Sequence, residues 1–248
     1  MRQLLPSAVD KVDLSVAYAY PPDLDSSCWL RANMVSSADG AATIDGKSGG
    51  LSSALDQHVF GVLRGLSDAV IVGAGTARIE GYRAIRAKDD YADARAARGQ
   101  RPAPVLVIVS ARLELDPSSA LFHGGAEQTI VVTRASSPAD RRALLAEVAD
   151  VVVAGDDCVD LSAATDALVD RGLHRLLCEG GPTLLASIAA AGRLDELCLT
   201  ITPCLVGGES RRILCGTPVD DKLRLEHLLE EDGTLFARHV RASARQPT

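Results

Sequence analysis

Aromatic side chains are scarce in this sequence: Phe, Trp and Tyr make up 3% of the 248 residues. Hydrophobic residues nevertheless reach 47%, so the chain can bury a sizeable core. That core must be built from Leu, Val, Ile and Ala. The length allows one large domain or two small ones, and no linker or internal repeat divides the sequence.

An excess of positive charge is also lacking, because 26 Lys and Arg residues stand against 33 Asp and Glu residues. This balance argues against a nucleic-acid-binding surface, which is usually basic, but it leaves room for a local basic pocket. No apolar run reaches the roughly 18 residues of a transmembrane helix, and residues 1–13 lack the apolar segment of a signal peptide. We therefore expect a cytoplasmic protein with neither a nucleic acid nor a membrane as its partner.

Several motifs of metal, nucleotide and hydrolase sites are missing. The six cysteines include no C-x-x-C pair and lie mostly in apolar runs, which is typical of reduced core thiols. The five histidines have no metal-ligand spacing, so we expect no metal site. The sequence has no G-x-x-x-x-G-K phosphate loop and no G-x-S-x-G turn around a nucleophilic serine.

Apolar, strand-like runs alternate with helix-like segments along most of the chain. This alternation predicts an α/β fold with a mostly parallel central sheet flanked by helices, and the Asp232-Gly233 turn predicts a C-terminal antiparallel hairpin over residues 223–240. We expect an irregular N-terminal arm with one short helix over residues 1–27, an exposed insertion over 87–100, and one domain over 28–248. The predicted strands cover residues 28–35, 69–72, 105–109, 129–133, 151–153, 175–178 and 197–202. The predicted helices cover residues 54–66, 141–148, 161–171 and 183–191.

The segment 178–184 (CEGGPTL) joins a buried strand to a helix through two glycines. Gly180 and Gly181 let the backbone approach a ligand closely, and Pro182 suits the first position of a helix. Free amides at the start of that helix would face a phosphate. The pattern indicates either a phosphate-binding turn or an ordinary strand–helix turn that uses glycine.

Three more strands end in loops of small residues. Residues 72–81 (VGAGTARIEG) resemble a dinucleotide-binding turn but have Arg78 in place of the third glycine, so Thr76 could contact a cofactor or only cap a helix. Asp39 lies in the turn 36–40 (SSADG), and residues 202–208 (TPCLVGG) again end in two glycines. Because ligands bind where the carboxyl ends of parallel strands gather, these loops together predict a binding site.

The order of these motifs resembles a known family. A strand followed by S-x-D-G, then G-x-G-T-x-x-x-E, E-G-G-P-T-L and P-x-x-x-G-G is similar, over about residues 28–242, to the reductase (C-terminal) domain of the riboflavin-biosynthesis RibD proteins. The resemblance implies a dihydrofolate-reductase-like fold, a homodimer, and NADPH-dependent reduction of the ribosyl group of 5-amino-6-(5-phosphoribosylamino)uracil. The H-x-E and P-C-x-x-C zinc signature of the partner deaminase is absent, so we expect a stand-alone reductase.

The resemblance also assigns roles to individual residues. Asn33 stands where many bifunctional members have Lys, and Glu80 stands where the family usually has Asp. The catalytic candidates are Glu179 and Asp39. The implied cofactor-binding residues are Val35, Thr76, Glu80, Ser110, Gly180, Gly181, Pro182, Thr183 and Leu184. The implied substrate-binding residues are Asn33, Ser48, Arg64, Arg83 and Arg86.

The implied chemistry is a hydride transfer from C4 of the nicotinamide to C1′ of an opened ribosylamine. Glu179 would hold or protonate the substrate, although the proton could equally come from water, and Arg64 with Arg83 or Arg86 would bind its phosphate. Two other functions stay open, because a fold does not determine a substrate. The chain could be a dihydrofolate- or pterin-type reductase, or an NADP-binding protein without catalytic activity.

Overall fold

A mixed sheet of ten strands carries seven helices in the computed structural model, which describes residues 1–22, 24 and 27–242. The strands are β1 (Arg2–Leu5), β2 (Trp29–Ser37), β3 (Ala69–Gly73), β4 (Val105–Val109), β5 (Ile130–Thr133), β6 (Asp150–Val153), β7 (Arg175–Cys178), β8 (Glu196–Thr202), β9 (Leu223–Glu231) and β10 (Thr234–Arg241). The helices are α1 (Leu14–Ala17), α2 (Ala54–Leu66), α3 (Ala74–Ile79), α4 (Asp89–Ala97), α5 (Ala139–Ala146), α6 (Leu161–Val169) and α7 (Pro182–Ala190).

The sheet has the strand order β1-β9-β10-β8-β2-β7-β3-β4-β5-β6. The seven strands from β8 to β6 in this order are parallel to one another. The remaining pairs are antiparallel: β10 with β8, β10 with β9, and β1 with β9. The predicted α/β fold, its mostly parallel sheet and its C-terminal hairpin are therefore confirmed.

The central strands read as continuous apolar runs because helices cover both faces of the sheet. Successive side chains of a strand point to opposite faces, so Val70 and Val72 join one hydrophobic cluster while Ala69 and Ile71 join the other. The first cluster includes Val59 and Leu63 of α2, and the second includes residues of α6 and α7. The aliphatic core expected from the composition is thus divided into two layers.

A buried ion cluster ties β2, β8 and β10 together. The Glu196 carboxylate accepts hydrogen bonds from Arg31 Nε at 2.6 Å, Arg238 Nε at 2.9 Å and Trp29 Nε1 at 2.9 Å. Glu196 and Arg31 are both fully buried. Burial by itself raises the pKa of Glu196, but the guanidinium groups of Arg31 and Arg238 bring it down to about 2.

Two segments differ from the sequence-based expectation. The N-terminal residues include the expected short helix, α1, but they also form β1, which pairs with β9 at the edge of the sheet. The expected exposed insertion contains helix α4, whose Arg95 is buried and donates hydrogen bonds to the carbonyls of Gly65 and Ser67 at 3.1 and 2.7 Å. Arg95 thereby binds carbonyl groups at the C-terminal end of α2.

Candidate active site

A cavity of about 1240 Å³ opens at the edge of the sheet where the parallel strands have their carboxyl ends. Its walls come from the ends of β2 and β7, from α2 and α3, and from the loops around residues 42–49, 79–88 and 206–211. This is the edge at which ligands bind in open α/β sheets. Three of the four small-residue loops line the cavity as predicted, whereas the turn 36–40, with Asp39, and Ser110 do not.

The turn between β7 and α7 forms one wall. Gly180 has a φ of +88°, the peptide bond to Gly181 is cis, and Pro182 begins α7. The Gly73 amide donates to the Gly180 carbonyl at 2.9 Å, which joins the turn to the end of β3. Within the described residues, the first amides of α7, those of Thr183 and Leu184, have no acceptor, and such amides favour an anion.

Glu179 and Arg64 form a bidentate ion pair beside this turn. Arg64 Nε donates to Glu179 Oε1 and Arg64 Nη2 donates to Glu179 Oε2, both at 2.7 Å. The Glu179 side chain is 1% exposed and the Arg64 side chain 27%. Burial alone would lower the pKa of Arg64, but the Glu179 carboxylate raises it well above the usual range. Arg64 is therefore a fixed positive charge in the cavity wall.

Two aromatic rings accompany this ion pair. The Arg64 guanidinium lies 4.3 Å from the ring centre of Phe60 and 5.5 Å from that of Tyr82, distances at which a cation is attracted to a ring. The Tyr82 hydroxyl donates to Glu179 Oε2 at 2.7 Å. Burial, followed by the Glu179 charge, raises the pKa of Tyr82 well above its usual range, so its hydroxyl stays protonated.

Glu80 connects the end of α3 to the loop that contains Ser48. It follows the last residue of α3, and its Oε1 accepts a hydrogen bond from the Ser48 amide at 2.9 Å. Thr76 lies inside α3, whose N-cap is Gly73, so the alternative that Thr76 caps the helix is wrong. Glu80, Ser48 and Thr76 all line the cavity.

Asp39 binds backbone amides outside the cavity lining. Its carboxylate accepts hydrogen bonds from the Ser37 hydroxyl at 2.5 Å and from the amides of Val206 and Gly207 at 3.1 and 2.7 Å. These bonds, that from Ser37 first, lower the pKa of Asp39 to about 2. Asp39 thus holds the glycine-bearing loop after β8 against the end of β2. Its catalytic role stays a prediction.

The structure brings most of the predicted site residues together around the cavity. Those that line it are Asn33, Val35, Ser48, Arg64, Thr76, Glu80, Arg83, Arg86, Glu179, Gly181 and Pro182. Those that do not are Asp39, Ser110, Gly180, Thr183 and Leu184. Ser110 instead accepts a hydrogen bond from the Leu113 amide at 3.0 Å. The ligand assigned to each residue stays a prediction.

The lining also includes aromatic and cationic residues that were not among the sequence-based candidates, notably Phe60, Tyr82, Lys88 and Arg211. Tyr82 lies 97 residues from Glu179 in the sequence, so no local pattern could connect the two. Lys88 and Arg211 add positive charge to a cavity that already contains Arg83 and Arg86. These four cations form no ion pair with the described residues.

Comparison with known proteins identifies the family of this chain. A profile of the RibD C-terminal domain matches residues 28–234. The chain belongs to the RibD C-terminal domain family. It is 30% identical over 205 residues to the 2,5-diamino-6-ribosylamino-4(3H)-pyrimidinone 5′-phosphate reductase of Archaeoglobus fulgidus, a match covering 79% of this chain and 93% of that protein. The protein of the same name from Methanothermobacter thermautotrophicus is 34% identical over 196 residues, 75% of this chain and 87% of that protein.

A protein of known structure has a similar fold. The crystal structure of a pyrimidine reductase-like protein from Corynebacterium diphtheriae matches with a TM-score of 0.83 at 29% identity, covering 95% of this chain and all of that one. The family membership and this likeness confirm the predicted dihydrofolate-reductase-like fold and the predicted oxidoreductase of riboflavin biosynthesis. Within the described ranges, no helix combines the length and apolar character needed to cross a membrane.

Proposed function

We propose that this chain uses NADPH to reduce the ribosyl group of a 5′-phosphorylated ribosylaminopyrimidine. The observation that carries the proposal is the Glu179–Arg64 pair, which faces the cavity directly beside the glycine turn. The substrate would be 5-amino-6-(5-phosphoribosylamino)uracil or its 2-amino counterpart, the 2,5-diaminopyrimidinone for which the archaeal relatives are named. The two compounds differ at one ring substituent.

The glycine turn fits the pyrophosphate of a dinucleotide cofactor. The amides of Thr183 and Leu184 stand at the start of α7 without acceptors among the described residues, and an anion there also meets the positive end of the helix dipole. Gly181 lines the cavity with main-chain atoms alone, so a ligand there meets the backbone directly. We propose that residues 180–184, with Thr76 and Val35, bind NADPH.

Four cationic side chains in the cavity lining would bind the phosphate of the substrate. Arg83, Arg86, Lys88 and Arg211 line the cavity without ion-pair partners in the described part of the chain. Arginine pairs with a phosphate through two parallel hydrogen bonds, while lysine acts as a point charge. Arg64 differs from these four because its Nε and Nη2 already donate to Glu179, which balances its charge. We therefore propose the four unpaired cations, rather than Arg64, as the phosphate subsite.

Glu179 would hold the reacting end of the substrate. Its carboxylate accepts three hydrogen bonds from the described residues, and an ionised carboxylate offers about four acceptor sites. The one site that is left, on Oε1, can accept a hydroxyl or an amine of the substrate. NADPH, when bound, supplies a hydride; the proton that completes the reduction would come from water, since neither Arg64 nor Tyr82 gives up its proton readily.

Steady-state oxidation of NADPH tests this function. We expect turnover with both ribosylaminopyrimidine phosphates and at least 100-fold lower kcat/KM with dihydrofolate, a difference typical of a site whose polar groups lose their partners. Comparable turnover of dihydrofolate would instead support a pterin-type reductase. An NADPH-induced rise in melting temperature without any turnover would support an inactive NADP-binding protein. No thermal shift with NADPH would contradict the cofactor assignment.

A matched pair of variants tests the role of Glu179 in the proposed reaction. Glu179→Gln should lower kcat/KM for the pyrimidine by about 10²- to 10³-fold, because the amide has no negative charge and its NH2 group cannot accept one of the two hydrogen bonds from Arg64. Glu114→Gln is the control, since Glu114 is exposed and forms an ion pair with the exposed Arg112. An activity of Glu179→Gln equal to that of the control would contradict the assignment.

We also propose a cytoplasmic homodimer. Leu205, in the loop after β8, is 81% exposed, and Leu4 and Leu5 of the edge strand β1 are 37% and 44% exposed. A second copy of the chain would cover these side chains. The six cysteines are all free thiols, which suits a reducing compartment. Light scattering after size-exclusion chromatography tests the dimer, and the mass of a monomer at micromolar concentration would contradict it.

A further inference from the structure

Tyr82 occupies a defined place between α3 and the cavity. It follows Gly81, whose φ of +70° turns the chain away from the helix, and its amide donates to the Ala77 carbonyl at 2.9 Å. These features direct the half-buried ring along the cavity wall toward Glu179. The hydroxyl then donates to Glu179 Oε2 at 2.7 Å.

The three hydrogen bonds to Glu179 are unevenly shared between its two oxygens. Oε1 accepts one from Arg64 Nε, whereas Oε2 accepts one from Arg64 Nη2 and another from the Tyr82 hydroxyl. Since each carboxylate oxygen offers two lone pairs, Oε2 is fully used and Oε1 has one lone pair left. The Tyr82 hydroxyl therefore decides which of the two oxygens keeps an unused lone pair.

We propose that Tyr82 is a positioning residue and a specificity determinant, acting through Glu179. Its hydroxyl occupies Oε2 and leaves Oε1 as the single acceptor for one hydrogen-bond donor of the substrate, a hydroxyl or an amine. Without this hydroxyl the carboxylate would have two open lone pairs, one on each oxygen, and would no longer hold the donor in one place. This inference rests on the proposed function, because the ligand of Oε1 is the proposed substrate.

The contacts of Arg64 support the same arrangement. Its guanidinium lies over the rings of both Phe60 and Tyr82, so the Tyr82 ring also helps to hold the other partner of Glu179. A phenylalanine at position 82 would keep the ring and remove only the hydroxyl. Tyr82→Phe consequently separates the hydrogen bond to Glu179 from the packing against Arg64.

The test is a double-mutant cycle of Tyr82→Phe and Glu179→Gln in the full-length chain. Tyr82→Phe alone should lower kcat/KM for the ribosylaminopyrimidine by about ten- to a hundredfold, the range of a hydrogen bond to a charged group. The KM for NADPH should change by less than about twofold, because the glycine turn is untouched. In the Glu179→Gln background, Tyr82→Phe should change kcat/KM by less than about threefold.

Tyr20→Phe is the matched control, because its hydroxyl donates to the Leu176 carbonyl at 3.2 Å and lies outside the cavity. This variant should leave both kinetic constants within about twofold of those of the unmodified chain. If the wild type turns over the pyrimidine but the effects of Tyr82→Phe and Glu179→Gln are additive, the role of Tyr82 is wrong while the proposed function stands. The same conclusion follows if Tyr82→Phe weakens NADPH binding as much as it lowers kcat/KM for the pyrimidine. Absence of wild-type turnover would overturn the proposed function, and the role of Tyr82 with it.

Discussion

Gly181 and Thr76 are in such close contact that a β-carbon on Gly181 would lie 2.4 Å from Thr76 Oγ1. The contact joins the turn after β7 to helix α3, two elements that follow neighbouring strands of the sheet. Glycine is thus required at position 181 by packing as well as by any ligand. The two cofactor-binding segments implied by the family resemblance support each other directly.

Gly181→Ala should therefore destabilise the protein by about 1–3 kcal/mol, the range of overpacking in a tight contact, and should weaken NADPH binding. Gly75→Ala is the control for stability, since Gly75 lies in the same helix as Thr76 with nothing within 4 Å of a β-carbon. That control should stabilise the helix by up to about 1 kcal/mol. Urea denaturation and fluorescence titration with NADPH measure the two effects. Equal stability of both variants would show that the contact relaxes freely.

Arg64→Met should cost about 3 kcal/mol of unfolding free energy, because it leaves the buried Glu179 carboxylate without its positive partner. Adding Glu179→Gln to this variant should recover part of the loss. Arg112→Met serves as the comparison, since its pair with Glu114 is 76% and 57% exposed and should contribute less than about 1 kcal/mol. Equal costs for the two arginine variants, again by urea denaturation, would contradict a stabilising role for the buried pair.

The hydrogen bonds to Asp39 should contribute stability that the folded protein loses in acid. They hold its pKa in the folded state at about 2, below the ordinary 3.8, so the stabilisation is fully present above the ordinary value and is lost as the pH falls through about 2. Asp39→Asn should lower the melting temperature at pH 7, and the difference from the wild type should shrink as the pH falls from 3.8 toward 2. A difference in melting temperature that stays constant from pH 3.8 to 2 would contradict the lowered pKa of Asp39.

Glu196→Gln should destabilise the protein by about 3–5 kcal/mol, because it leaves the guanidinium groups of Arg31 and Arg238 buried without a counter-charge. The loss should appear in the folding equilibrium and leave the KM for NADPH unchanged, since none of the three residues lines the cavity. Glu114→Gln, at an exposed pair, provides the baseline. Chemical denaturation at neutral pH measures the free energy of unfolding of each variant. A decrease of less than about 1 kcal/mol for Glu196→Gln would show that the cluster tolerates an unpaired cation.

The features that the sequence predicted correctly are those that a local pattern encodes. The run at 105–109 gives a strand because five aliphatic residues suit a sheet covered on both faces, and the turn at Asp232-Gly233 defines the β9–β10 hairpin. The convergence of strand-end loops follows from parallel topology alone. These rules were sufficient for the fold class and for the general place of the candidate site.

The features that the sequence did not predict depend on contacts between distant parts of the chain. Arg95 lies in a charged, alanine-rich segment that resembles a solvated surface, yet it binds carbonyls about 30 residues earlier in the chain. Glu196 begins an apolar strand and meets Arg31 across 165 residues. Only the tertiary structure determines whether such a charged side chain is buried with partners.

The adjacency of Glu179 and Gly180 has a thermodynamic consequence. A pyrimidine held by Glu179 and a dinucleotide held by the following turn would bind to neighbouring peptide units, and the bond from Gly73 to Gly180 together with the Gly181–Thr76 contact restricts independent movement of the two. We therefore expect the two affinities to be linked. Saturating NADP⁺ changes the dissociation constant of the pyrimidine by some factor. Saturating pyrimidine must then change the dissociation constant of NADP⁺ by the same factor.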